Sequence, residues 1–154
     1  MQAGTVAVAR LDDPVVLGLV ELLQAEYVVR YGGRDDAPID AAEFAPPRGL
    51  FLLATAGGEP VAMGGWRALG DGRAELKRMF VVEAARGRGY ARTLLAELER
   101  TAAAAGIDRM VLETGTEQPE AMALYASAGY DPIAGFGHYA DAPRSRAFGK
   151  RLAS

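Results

Sequence analysis

A basic loop with glycines lies near the middle of the chain, between a β-forming run and an alanine- and leucine-rich helical run. The loop is Arg86-Gly87-Arg88-Gly89, and Tyr90-Ala91-Arg92 follow it. Glycine lets backbone amides approach a ligand closely, and the start of a helix presents unpaired N–H groups at the positive end of its dipole. With arginines added, this arrangement predicts a site for a phosphate-bearing small molecule.

Two familiar phosphate-binding motifs do not fit this loop. The Gly-Lys-Ser/Thr ending of a P-loop is missing, and a dinucleotide fingerprint that began at Gly87 would need its third glycine where Arg92 stands. Glycines between a strand and a helix can also form no more than a compact connection. The prediction of a phosphate site at this loop therefore needs support from a second motif.

That support comes from residues further along the chain. Arg86-x-x-Gly89-x-Ala91 resembles the Arg/Gln-x-x-Gly-x-Gly/Ala signature of the GNAT family of N-acetyltransferases. The later run Gln118-x-x-Ala121-x-x-x-Tyr125-x-x-x-Gly129-Tyr130 resembles the same family's signature Asn-x-x-Ala-x-x-x-Tyr-x-x-x-Gly-Phe. The resemblance extends over Leu50 to Leu152, and two signatures in this order are more specific than either alone.

The resemblance implies acetyl-CoA as the cofactor and coenzyme A as the released product. In the family the cofactor enters where two parallel strands separate; its pantetheine arm pairs with one strand and its pyrophosphate rests on the loop amides. Arg88 and Arg92 could instead be solvated surface groups. The contacts expected here come from Met79, Phe80, Val81, Arg86, Gly87, Arg88, Gly89, Tyr90, Ala91, Arg92, Gln118 and Tyr125.

Tyr125 matches the family's tyrosine that points at the thioester sulfur. A phenol is protonated at neutral pH and can donate a proton to the departing thiolate. Tyr125 also shares helical spacing with Ala121, Leu124 and Ala128, so a core aromatic with a backbone-bonded hydroxyl is the alternative. Gln118 stands where the family usually has Asn. Its side chain carries the same amide group but is longer.

Direct attack on a thioester requires a neutral amine, so a base must accept a proton from the ammonium form. Two acids match positions used by different branches of the family: Glu75 by the histone-modifying branch, and Glu113 by the branch that acetylates ribosomal-protein N-termini. Either could instead be a structural acid paired with arginine. We favour Glu113, because it interrupts the apolar run Met110-Val111-Leu112, whereas Glu75 stands just after the Asp71-Gly72 turn.

The acceptor pocket is expected to contain aromatic and charged side chains. Arg78 could hold a substrate carboxylate or form a salt bridge, and His138 could be an ordinary loop histidine. The aromatic, loop-like segment from Phe136 to Pro143 would suit a lid. The candidate acceptor residues are Tyr27, Tyr31, Trp66, Arg78, Glu113, His138 and Tyr139.

Hydrophobic periodicity predicts the helices and strands that position the candidate site residues. A helix is predicted from Pro14 to about Arg30, capped by Asp13, and the Gly-, Asp- and Pro-rich segment Tyr31–Pro47 is of the kind that borders a binding site. Further helices are predicted from the loop to Gly106 and over Pro119–Ala128. Strands are predicted at Thr5–Ala9, Leu50–Ala54, Val61–Leu69, Ala74–Val82, Arg109–Thr114, Tyr130–Ile133 and Arg146–Leu152.

We therefore predict a GNAT-like three-layer α/β/α domain with a mixed, mostly antiparallel sheet and one splayed parallel pair. The 154 residues suit one domain, residues 1–154. The chain has no cysteine and one histidine, so no metal is expected, and the net charge of −3 disfavours nucleic-acid binding. Without a signal-like or membrane-length apolar run, we expect a cytoplasmic protein away from membranes; a homodimer stays open.

The leading function is N-acetyl transfer from acetyl-CoA to a primary amine of a small molecule, an amino-acid derivative or a peptide terminus. The alternative is a module that binds acetyl-CoA as a sensor without turnover. A tyrosine at the signature position and the two acids favour an enzyme.

Overall fold

The computed structural model describes residues 4–152 and joins seven strands in one sheet. Three α-helices and two short 3₁₀ helices, Ala41–Phe44 and Glu83–Ala85, accompany the sheet. The α-helices are α1 (Pro14–Tyr31), α2 (Tyr90–Ala104) and α3 (Pro119–Ser127). The strands are β1 (Thr5–Val8), β2 (Gly49–Ala56), β3 (Glu59–Gly70), β4 (Arg73–Val81), β5 (Arg109–Gly115), β6 (Asp131–Ile133) and β7 (Ser145–Arg151).

The sheet has the order β1-β2-β3-β4-β5-β7-β6, and its neighbours are antiparallel except for β4 and β5. The parallel pairing joins residues 73–75 to residues 109–111 and ends there. Beyond Glu75 and Val111 the two strands separate toward their carboxyl ends. The predicted fold class, including the splayed parallel pair, is confirmed.

Two hydrophobic cores cover the two faces of the sheet. Alternate residues of β2 point to opposite faces, so Leu52 joins the core beneath α2 and α3 while Phe51 joins the core beneath α1. Leu94 and Leu98 of α2 are fully buried in the first core. The sheet is thereby held between helical layers, as the hydrophobic periods predict.

Helix α1 has the local signals that its sequence predicts. The Asp13 side chain accepts the Val15 N–H at 2.9 Å, Pro14 occupies the first turn, and Gly32 closes the helix with φ +80°. Its last turns carry Tyr27 and Tyr31 to the edge of the β4–β5 gap.

A β-bulge in β4 has no counterpart in the sequence prediction. Lys77 pairs with Gly65 and Phe80 with Met63, which leaves Arg78 and Met79 opposite the single residue Gly64. Arg78 takes a left-handed conformation, φ +61°, which is uncommon for a residue other than glycine. The bulge lies where β4 has already left β5.

None of the helices within residues 4–152 is both long and apolar enough to cross a membrane.

Candidate active site

Two cavities meet where β4 and β5 separate. The first, here called the splay cavity, has a volume of about 350 Å³ and lies between residues 76–79 of β4 and 112–115 of β5. The second, called the loop groove, has a volume of about 410 Å³ and lies between residues 79–81 and the loop and helix start at residues 85–92. Both are lined by Met79, Gln118, Ala121 and Tyr125.

The loop groove contains a row of unpaired backbone amides. Gly89 is the cap of α2, with φ +84°, and provides no side-chain cap. Within residues 4–152 the amides of residues 87–92 bond to no other residue, and the first paired amide is that of Thr93, 3.0 Å from the Gly89 carbonyl oxygen. Open space adjoins the Cα of both Gly87 and Gly89. The site therefore fits an anion.

The arginines of this loop differ in what they contact. The Arg86 guanidinium bonds to Glu26 at 2.5 Å and to the Val81 carbonyl at 3.0 Å, and it lies over the Phe80 ring. Arg92 bonds to the Ser127 hydroxyl at 2.8 Å and lines the groove. Arg88 is exposed and does not line the groove. Arg86 thus fixes the loop to β4.

Tyr125 is buried, and its ring packs edge-on against Tyr130 at 5.6 Å between centroids. Its hydroxyl bonds to no group in the described part of the chain, so the alternative with a backbone-bonded hydroxyl is not observed. Burial, and to a smaller extent the nearby Tyr27, raises the pKa of Tyr125. The phenol stays protonated at neutral pH and can act as a proton donor.

Gln118 lines both cavities, and Tyr31 contacts it from the side of the splay cavity. The Tyr31 hydroxyl donates to Gln118 Oε1 at 3.2 Å, and the Gln118 backbone N–H donates to the Gly115 carbonyl at 3.0 Å. The oxygen of the Gln118 amide is therefore partnered, while its nitrogen is available to a ligand.

Glu113 lies on β5 in the wall of the splay cavity. Its carboxylate accepts the N–H groups of Gly137 and Tyr139, each at 3.3 Å. A Cβ at Gly137 would lie 2.5 Å from Glu113 Oε1, so only glycine permits this close approach. Glu113 thus faces the cavity and also holds the loop between β6 and β7.

Glu75 occupies a different environment from Glu113. It is buried and accepts two hydrogen bonds from Arg67, at 3.0 and 3.1 Å, and Arg67 also contacts Glu43 at 3.0 Å. It lines neither cavity. The geometry is that of a structural acid paired with arginine, which was the alternative expected for this position.

The position of Trp66 corrects one prediction. We expected Trp66 in the acceptor pocket, but it is buried in the core beneath α2, where its Nε1–H donates to the Thr101 hydroxyl at 3.1 Å. The alternation of β3 directs it to the face opposite the splay cavity's charged residues.

Four of the remaining acceptor candidates gather at the splay cavity, whereas His138, which we also expected there, does not line it. Tyr27, Tyr31, Arg78 and Tyr139 line it, and burial together with the charge of Asp35 raises the pKa of Tyr27 to about 12.

His138 stands outside the splay cavity, and its Nε2 lies 3.1 Å from Asp36. The Tyr139 hydroxyl lies 2.6 Å from Asp35 Oδ1 and 2.9 Å from Asp36 Oδ1. These contacts join the segment after α1 to the segment between β6 and β7, across the cavity.

Asp35 is the central acid of this cluster, and the sequence prediction missed it. Its carboxylate lies 3.3 Å from Arg78 and 3.9 Å from Lys77, and its backbone is fixed by the buried amide of Gln24. Burial alone would raise the pKa of Asp35, but the charge of Lys77, the Tyr139 hydroxyl and Arg78 bring it below its usual value. The only feature of the sequence that pointed to Asp35 is its location in the segment Tyr31–Pro47, which was predicted to border a binding site.

Comparisons with known proteins agree with this geometry. The profile of the acetyltransferase (GNAT) family matches residues 16–130. The chain is 36% identical over 136 residues to a protein named IAA acetyltransferase from Azospirillum brasilense, and the match covers 88% of each protein.

Solved structures show the same fold. A Klebsiella pneumoniae protein described as an acyl-CoA N-acyltransferase superimposes with a TM-score of 0.86 and 27% identity, over 97% of this chain and 98% of that one. The PaiA N-acetyltransferase from Thermoplasma acidophilum, solved in complex with coenzyme A, has a TM-score of 0.72 and 16% identity, with 96% and 99% coverage.

The chain belongs to the GNAT family of acetyltransferases and is an acyltransferase. Members of this family use acetyl-CoA and act on amines of small molecules or peptides.

We predict that Asp35→Asn lowers the free energy of unfolding at pH 7 by about 1–3 kcal/mol, because it leaves Lys77 and Arg78 nearly buried without a counter-charge. The native-state pKa of Asp35 is lowered, so its stabilisation is present above the unfolded-state pKa of about 4 and is lost as the pH falls below it. Urea unfolding at pH 7 and pH 3 should show a difference that shrinks in acid.

Asp12→Asn is the matched control, because Asp12 pairs with Arg10 on the exposed surface. It should change stability little at either pH. Equal losses in the two variants at pH 7 would contradict the role given to Asp35.

Proposed function

We propose that this protein transfers the acetyl group of acetyl-CoA to a primary amine of a small molecule, an amino-acid derivative or a peptide terminus. The amine attacks directly while both substrates are bound. The observation that carries the proposal is the meeting of two cavities at Tyr125: one has unpaired amides for an anion and the other has charged groups for an acceptor. The name of the Azospirillum relative supports acetyl as the transferred group.

The cofactor's diphosphate would bind the amides of residues 87–92, where the helix dipole and open glycine backbone favour negative charge. Its pantetheine arm would follow the backbone of Met79, Phe80 and Val81, all of which line the loop groove. The amide nitrogen of Gln118 is free to contact the same arm. The thioester would then reach the splay beside Tyr125.

In the proposed reaction a bond forms between the amine nitrogen and the acetyl carbon, and the bond between that carbon and sulfur breaks. The ammonium proton of the acceptor goes to Glu113, directly or through water. The departing thiolate takes a proton from the Tyr125 hydroxyl, which the raised pKa keeps protonated. The products are the N-acetylated acceptor and coenzyme A.

We predict that Gly89→Glu abolishes most of the affinity for coenzyme A, because it adds bulk and negative charge where the diphosphate would bind. Isothermal titration calorimetry measures the loss directly. Gly58→Glu is the matched control: Gly58 also has a positive φ, of +82°, and open space beside it, but it lies in the β2–β3 turn. Coenzyme A binding by Gly89→Glu at the strength of the control would refute this placement.

We predict that Tyr125→Phe keeps the fold and cofactor affinity but lowers kcat, because it removes one hydroxyl and leaves the packed ring in place. General acid catalysis is typically worth about 10²–10⁴-fold, although water can substitute in part. The measurement is steady-state thiol release with acetyl-CoA and a reactive amine. Tyr130→Phe is a suitable control, since its hydroxyl bonds to Glu99. A kcat within about twofold of the parent would assign Tyr125 a structural role.

We predict that Glu113→Gln lowers kcat and removes the acidic limb of the pH–rate profile, because the amide cannot accept the ammonium proton. Glu75→Gln should instead weaken the contact with Arg67 and lower stability, while the folded fraction keeps the parental kcat. The pH–rate profiles of both variants, normalised to folded protein, separate the two roles. The reverse pattern would transfer the role of base to Glu75, and equal small effects would mean that solvent deprotonates the amine.

A further inference from the structure

We propose that the acceptor amine also carries a carboxylate, and that Lys77 and Arg78 bind that carboxylate in the splay cavity. The inference rests on the proposed function and specifies its substrate class. It is carried by two nearly buried cations that share one protein carboxylate and retain unused hydrogen-bond donors.

Lys77 is the first of these cations. Its side chain is 12% exposed, and its closest carboxylate oxygen, on Asp35, lies 3.9 Å away. No acceptor within residues 4–152 forms a hydrogen bond with its ammonium group. An ammonium group has three donors, so those of Lys77 remain available to a group bound in the cavity. A bound anion would supply the acceptors.

Arg78 is the second cation, and its side chain is 9% exposed. One of its five donors makes a hydrogen bond in the described chain, from Nη1 to Asp35 at 3.3 Å. The rest of the guanidinium edge is available for a carboxylate, a group that arginine can bind through two parallel hydrogen bonds.

The bulge explains why neighbouring residues face the same cavity. Successive side chains of a regular strand point to opposite faces, yet Lys77 and Arg78 both approach Asp35. The left-handed backbone of Arg78 breaks the alternation and turns both cations toward one point. A strained backbone conformation that assembles such a pair is typical of a functional site.

Asp35 cannot satisfy both cations. Its Oδ1 already interacts with the Tyr139 hydroxyl and accepts the Ala37 N–H at 3.0 Å, while Oδ2 faces Arg78 and Lys77. Four cationic side chains and two carboxylates line the whole cavity, and Arg34 is paired with Glu21 outside it, which leaves an excess of one positive charge. The cationic residues are Arg34, Lys77, Arg78 and Arg144, and the acids are Asp35 and Glu113.

The two ends of such an acceptor would have separate partners. Glu75 pairs with Val111 in the parallel ladder, so continuing that register sets Lys77 level with Glu113 across the gap. The amine would lie on the Glu113 side and the carboxylate on the Lys77 and Arg78 side. A cavity of about 350 Å³ suits an acceptor of amino-acid size.

The test compares each of the common amino acids with its own carboxamide, which keeps the amine and side chain but lacks the negative charge. Binding to the coenzyme A complex, measured by calorimetry, and acetyl transfer, measured by thiol release, are recorded for each pair. We expect at least one acid to show, relative to its carboxamide, a Kd lower by about tenfold or more and a kcat/KM higher by about tenfold or more, the size expected for charge-assisted hydrogen bonds.

Lys77→Met removes the charge and keeps the length of the side chain, so it should reduce this preference by about tenfold while affinity for coenzyme A stays parental. Lys77→Arg should retain the preference and serves as the conservative variant. Lys150→Met is the matched control, because the only other lysine of the chain lies on β7 and bonds to Glu99 at 2.8 Å.

The two readouts separate the two claims. Tighter binding of an acid without transfer to any amine would overturn the proposed function and uphold the carboxylate site. Equal binding of every acid and its carboxamide would overturn the carboxylate site, whatever the turnover. A preference unchanged in Lys77→Met would likewise exclude Lys77 from the site.

Discussion

The early end of the β4–β5 ladder is the constraint on which the site depends. Only residues 73–75 pair with residues 109–111, so the next part of β4 has β3 on one edge and a cavity on the other. Because the two strands no longer bond to each other beyond Glu75 and Val111, their backbone groups and side chains face a gap in which a ligand can contact both. Gln118, which caps the start of α3, and Tyr125, near the end of that helix, close it on the side of the loop groove.

The charges around this gap are arranged for a ligand more than for stability. A buried ion pair contributes little net free energy unless each partner is well satisfied. The pair of Arg67 and Glu75 meets that condition, whereas Lys77 and Arg78 share Asp35 with Tyr139. Incomplete pairing inside a cavity is therefore the feature that distinguishes the proposed acceptor side from the structural ion pair of Glu75, two residues before Lys77 on β4.

Local signals predicted most of the fold and the loop groove. Asp13 and Pro14 start α1, and the glycines at 87 and 89 give the loop its shape, because both effects act within a few residues. The bulge at Arg78 and the contact between Asp35 and Arg78 depend on residues far apart in the sequence, so no local sequence pattern predicts them. The prediction for Trp66 was wrong because β3 is buried on both faces, and the alternation of its side chains does not indicate which face borders the site.

A crystal structure with coenzyme A tests the central claim most directly, namely that the two cavities form one reaction site at Tyr125. The account predicts the diphosphate on the amides of residues 87–92, the pantetheine arm along Met79–Val81, and the sulfur within hydrogen-bonding distance of the Tyr125 hydroxyl. The splay cavity would stay open to an acceptor. A diphosphate bound elsewhere, or a sulfur remote from Tyr125, would contradict the account.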